Sequence, residues 1–96
     1  MLNETVRTAL RLGAAAAKAL STEIDRNIKT ARAELVRAGV SVDVAESSNA
    51  LVENAIVTYC LMNLGNQNLY DKYQQSWEYQ LDNLRKSSLE VKKDVQ

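Results

Sequence analysis

From Leu51 to Gly65 the chain reads LVENAIVTYCLMNLG, and apolar residues cover nearly every side of a helix built on it. Val52, Ala55, Ile56, Tyr59 and Cys60 stand at the i, i+3, i+4, i+7, i+8 spacing of a core-facing stripe. Val57, Leu61, Met62 and Leu64 cover much of the remainder, and no charged residue falls between Glu53 and Asp71. Such a helix must be covered on most sides. In a chain of 96 residues the pattern predicts that another subunit supplies part of the cover. The apolar part runs only from Ala55 to Leu64, well short of the ~20 residues a membrane span needs, so no membrane association is predicted.

The rest of the pattern is helical too. Asn3 is placed to cap a first helix whose small apolar face is Leu2, Val6, Ala9 and Leu10, ending near Leu12-Gly13. The alanines at 14–17 favour helix, but Gly13 and the cap candidates Ser21 and Thr22 predict a break between two helices in the 13–22 region. Thr22 with Asp25 reads as a capping-box-like start. Ile24, Ile28, Ala31, Leu35 and Ala38 then step by four and three residues along one stripe. Gly39 is the clearest stop in the chain, with Val40 expected to fold back on Leu35 in a Schellman motif.

Ser41 to Asn49 is a polar connection in which Asp43, Ser47, Ser48 and Asn49 are cap candidates. Gly65 is expected at C′ of the central helix, and the short linker 66–68 returns the next helix antiparallel or steeply crossed. Asn68 with Asp71 is expected to cap that last helix, whose buried stripe is Tyr70, Tyr73, Trp77, Leu81 and Leu84. Tyr79 falls on its polar face beside Gln75, Asp82 and Lys86. The helix is expected to fade at Ser87-Ser88.

The predicted architecture is therefore all-α: a small bundle of about four helices over residues 1–88, then a flexible or extended C-terminal tail at 89–96. The predicted core is Ile24, Ile28, Leu35, Val52, Ile56, Tyr59, Tyr73, Trp77 and Leu81. The candidate interface residues are Tyr79, Leu61 and, in the tail, Leu89 and Val91. The alternation around Val91 suits addition of a strand to a partner's sheet edge.

Composition sharpens this picture. There is no proline and glycine occurs three times, so little interrupts helix. Twelve basic and twelve acidic residues cancel, which argues against nucleic-acid binding driven by bulk charge. Their placement is uneven: residues 1–40 hold seven Lys/Arg against four Asp/Glu, leaving five and eight for residues 41–96. Halves of opposite sign suit head-to-tail association, although scattered surface charge gives the same count. The amino-terminal stretch MLNETVRTALRL is amphipathic and charged rather than secretory in pattern, which fits synthesis in a cytosol.

Candidate chemistry is sparse. The absence of histidine removes His-based triads and His-containing zinc sites. Cys60 is alone and on the apolar stripe, where a buried structural thiol is the natural reading. Glu78 and Asp82 share a helix face at i, i+4, whereas Glu23 and Asp25 do not; such a pair is ordinarily a solvated face. The three glycines are isolated, so no phosphate loop is formed, and no metal-ligand spacing occurs. No catalytic, cofactor or metal site is expected, and the chain is read as a non-enzyme. All five aromatics, from Tyr59 to Tyr79, follow residue 58 among Gln, Ser, Glu and Asp, which suits packing better than base stacking.

Several blocks together resemble a known family. L-x-x-A-G-V at Leu35 to Val40 is followed by a polar loop, then L-V-x-x-A-I-x-x-Y-C-x-x-N-x-G at Leu51 to Gly65. Next comes N-x-x-x-x-x-x-Y-Q-x-S-W/Y-E at Asn66 to Glu78, and a helix reaching Leu84. Over roughly residues 20 to 90 the chain resembles the small head-tail connector proteins of long-tailed bacteriophages, also described as DNA-packaging adaptors or head-completion proteins. The family usually carries acidic residues where this chain has its alanine run.

The resemblance implies a structural virion protein, made in the host cytoplasm and placed in the neck. Its copies form a ring under the portal, extend the channel through which double-stranded DNA passes without sequence-specific contacts, and present a surface for a stopper or tail-completion protein. The portal of such phages is twelve-fold, which implies about twelve copies in the virion. Two other readings stand beside it. One is a small helical homo-oligomeric binding or regulatory module outside the virion. The other is a helix-turn-helix DNA-binding protein, which the low basic content of the last helix disfavours.

Overall fold

A computed structural model describes the backbone of residues 2–95 and the side chains of residues 2–86. Among the described residues the chain is all-helical, without a strand. The helices are α1 (Leu2–Ala9), α2 (Ala14–Arg37), the single turn α3 (Val42–Ala45), α4 (Ala50–Leu64) and α5 (Tyr70–Val95), with a 3₁₀ turn at Gln67–Leu69 before α5. The central apolar helix is α4, and it packs against α5, α2 and α1.

The alanine run decides the first departure from expectation. No break occurs at Ser21 or Thr22, and α2 is continuous from Ala14. Alanine has the highest helix propensity, and two adjacent hydroxyl residues are too weak to stop a helix already propagating. The break lies earlier, at Leu10 to Gly13, where Arg11 adopts φ 57° and α1 closes in a Schellman arrangement. Arg11 N donates to Thr8 O at 3.0 Å and Leu12 N to Arg7 O at 3.2 Å. Asn3 does not cap α1; from within that helix its amide donates to Asp25 Oδ1 at 2.6 Å and Ser21 O at 3.3 Å, tying α1 to α2.

The C-terminus of α2 follows expectation closely. Gly39 has φ 112°, Gly39 N donates to Val36 O at 3.0 Å, and Val40 N donates to Leu35 O at 2.9 Å. Val40 and Leu35 are both buried. These are the two hydrogen bonds and the apolar contact of the Schellman motif.

The polar connection is shaped by three side chains. Ser41 Oγ accepts from Val44 N at 3.3 Å and starts α3, and Asn49 Oδ1 accepts from Leu51 N at 2.8 Å and starts α4. Arg32, on α2, donates to Ala45 O at 2.5 Å and to Ser47 O at 3.4 Å. A cation therefore satisfies carbonyls at the end of α3 and fastens the connection to α2. Ala45 itself is fully buried.

Two further corrections concern the last helices. Gly65 ends α4 in an extended conformation (φ −90°, ψ −160°) and not as a left-handed C′ residue. Glycine is needed because the backbone passes close to Leu61: a Cβ at Gly65 would collide with the Leu61 carbonyl oxygen, which accepts from Gly65 N at 2.8 Å. The cap after it is Asn66, whose side chain accepts from Asn68 N at 2.9 Å, in place of Asn68 with Asp71.

Nor does α5 end at Ser87-Ser88. Its backbone stays helical to Val95, so residues 89–95 are not an extended tail. No proline or glycine follows Gly65, and LEVKKD holds enough good helix formers to extend a helix already nucleated. The side chains of Leu89 and Val91 lie outside the described residues.

The core is assembled around α4. Val52, Ala55, Ile56, Cys60 and Met62 are buried there with Val6, Ile24, Ala31, Leu35, Val40, Ala45, Trp77 and Leu84. Of the predicted core, Ile28, Tyr59, Tyr73 and Leu81 are half-buried at its edge, and Tyr70 of the predicted α5 stripe is exposed. One chain covers α4 more fully than its pattern suggested. Val57, Leu61 and Leu64 are half-buried, and the one large apolar side chain of α4 left exposed is Leu51. The long α2 and the early Val6 supply the missing cover.

Candidate interaction surface

One open, partly apolar groove among the described residues lies between the N-terminal end of α4 and the middle of α5. Leu51 and Asn54 of α4, with Tyr79, Gln80, Asn83 and Leu84 of α5, line it. Leu51 is 65 % exposed and Tyr79 71 %. Leu84 forms the buried floor.

The antiparallel return of α5 on α4 follows from the short 66–69 connection and is locked by two contacts. Tyr59 and Trp77 meet with ring centroids 4.9 Å apart and planes inclined at 60°, a tilted pairing favoured by ring quadrupoles. Gln80 Nε2 donates to Thr58 Oγ1 at 2.9 Å and to Ser76 Oγ at 3.0 Å, which fixes the amide beside the groove.

The predicted interface residues separate on this map. Tyr79 stands exposed at the groove, Leu61 is half-buried elsewhere on α4, and Leu89 and Val91 fall outside the described side chains. Leu51 was read in the sequence only as part of the apolar helix. Its position one residue after the first of α4, beyond the reach of the core stripe, is the signal that marks it as exposed.

The carboxylates are engaged in surface electrostatics. Asp82 accepts from Arg85 at 2.6 Å and pairs with Lys86 at 3.0 Å, so its carboxyl is held below the usual range by those two cations, Lys86 first. Glu34 pairs with Arg37 at 2.7 Å and raises the arginine above its ordinary value. Neither arrangement couples a base to a nucleophile. The Cys60 thiol is buried and pushed up to about 12 by desolvation, the opposite of an activated cysteine. Among the described residues no group of three or more His, Cys, Asp or Glu could hold a metal ion, and no helix is long and apolar enough to cross a membrane.

A second, wider hollow lies between α1 and the start of α2, lined by Glu4, Arg7, Thr8, Arg11, Leu12, Ala14 and Ala17. Arg7 Nε is buried there without a hydrogen-bond partner, and the guanidinium stands 4.0 Å from Glu4. Comparison of the chain with protein-family models, curated proteins and solved structures returns no match.

Proposed function

We propose that this chain is a structural assembly protein of the head-tail connector kind. It docks as a ring under a phage portal, lines the path of double-stranded DNA, and offers its outer face to a stopper or tail-completion protein. The observation that supports this most directly is the α4–α5 hairpin. The two blocks on which the resemblance rests, Leu51 to Gly65 and Asn66 to Glu78, fold as one unit, and their aromatic positions Tyr59 and Trp77 are in ring contact. Zero net charge suits a channel in which DNA must slide, because many phosphate contacts would hold it.

Electron microscopy of the neck of the parent virion tests the proposal. About twelve copies of this chain between portal and tail are expected, matching the portal's symmetry; a neck without density for it refutes the reading. The open groove at Leu51 and Tyr79 also favours a second reading, a small self-associating binding module outside the virion. Absence of the chain from purified particles distinguishes that case.

A further inference from the structure

We infer that the groove between α4 and α5 is a self-association surface through which two free copies pair about a two-fold axis, the Tyr79 ring of each seated beside Leu51 of the other. The inference does not depend on the connector reading. Its ground is the composition of the groove. Leu51, Tyr79 and Leu84 supply apolar area, and every other lining residue is an uncharged amide: Asn54, Gln80 and Asn83.

In a two-fold interface each group approaches the same surface on the partner, so a charged lining repels itself. Amides both donate and accept, and so complement their own copies. The side chains of Asn54 and Asn83 make no hydrogen bond within the described chain, and Gln80 uses only its amide nitrogen, leaving its oxygen to accept.

The charged side chains of this stretch of α5 stand off the groove: Glu78, Asp82 and Arg85 line a separate hollow beside Ala38 at the end of α2, and Asp82 carries Arg85 and Lys86 as counter-ions. Two copies meeting at the groove therefore bring no like charges together along its lining. Exposed tyrosine at the centre of such a patch is the residue type that anchors interfaces.

The test is sedimentation of the full chain from micromolar to millimolar concentration, with circular dichroism as the control for folding. A monomer–dimer equilibrium is expected. Tyr79→Glu and Leu51→Glu each keep the parent's helicity, because both side chains are mostly exposed, and each weakens dimerisation at least ~10-fold. Mixing Leu51→Glu with Tyr79→Lys restores a dimer, since one contact becomes an ion pair and the other is unchanged. A chain that stays monomeric at millimolar concentration leaves the groove to a different protein and overturns the proposal. Closed species larger than a dimer overturn the two-fold arrangement, and a dimer that survives both glutamate substitutions overturns the surface.

Discussion

A Cβ placed on Gly39 would stand 3.3 Å from Cγ of Arg85. The residue that ends α2 is thus also the floor across which an arginine of α5 lies, and one position couples a local chain reversal to the docking of two helices distant in sequence.

Gly39→Ala tests that coupling. At φ 112° an L side chain is strained, and the Arg85 stem must also give way. A loss of about 1–2 kcal/mol is expected, lowering the melting temperature by roughly 4–8 °C per kcal/mol. A thermal melt matching the parent's contradicts the geometry.

Arg11 runs the opposite way. It holds a left-handed conformation, φ 57°, without being glycine, at the C′ position of α1. Arg11→Gly relieves that strain, and a gain of about 0.5–1 kcal/mol is expected in chemical denaturation. Unchanged or lower stability would show that the arginine side chain contributes more than its backbone costs.

Trp77 is 7 % exposed and in ring contact with Tyr59. Trp77→Ala removes a large buried side chain, and a loss of ~3–5 kcal/mol is expected, a large share of a small domain's stability. Tyr59→Leu in the Trp77→Ala background should then cost less than Tyr59→Leu alone, because the ring contact is already gone. A double-mutant cycle with no coupling rejects the contact as a source of stability.

The buried thiol gives a pH prediction with a definite sign. Cys60 rises from an ordinary value of 9.0 to about 12 in the folded chain because burial disfavours the thiolate. Above the unfolded pKa the unfolded chain releases this proton while the folded chain keeps it, so stability falls as pH rises between about 9 and about 12. Below that window Cys60 has no effect. Denaturation midpoints of Cys60→Ala, compared with the parent's across alkaline pH, should show a shallower decline. Alkylation of Cys60 by iodoacetamide should require opening of the core.

What the sequence determined by itself is what depends on neighbours in the chain. The Schellman end at Gly39 and Val40, the cap at Asn49, the α4 stripe and the exposed Tyr79 all follow from periodicity or from a residue acting within one turn. Local rules failed where two local signals competed. The alanine run overrode Ser21 and Thr22, and helix propagation carried α5 past Ser87-Ser88.

Only the tertiary structure decided the rest. Arg32 closing the end of α3, Asn3 reaching Asp25, and Leu51 sharing a groove with Tyr79 join residues whose pairing no spacing encodes. Tertiary packing also decided how much of a helix apolar on nearly every side is covered within one chain, because coverage depends on how the long α2 and the return of α5 are placed around α4. The all-round hydrophobicity of α4 thus specified that it would be central, and the placement of its neighbours left Leu51 as its exposed apolar end.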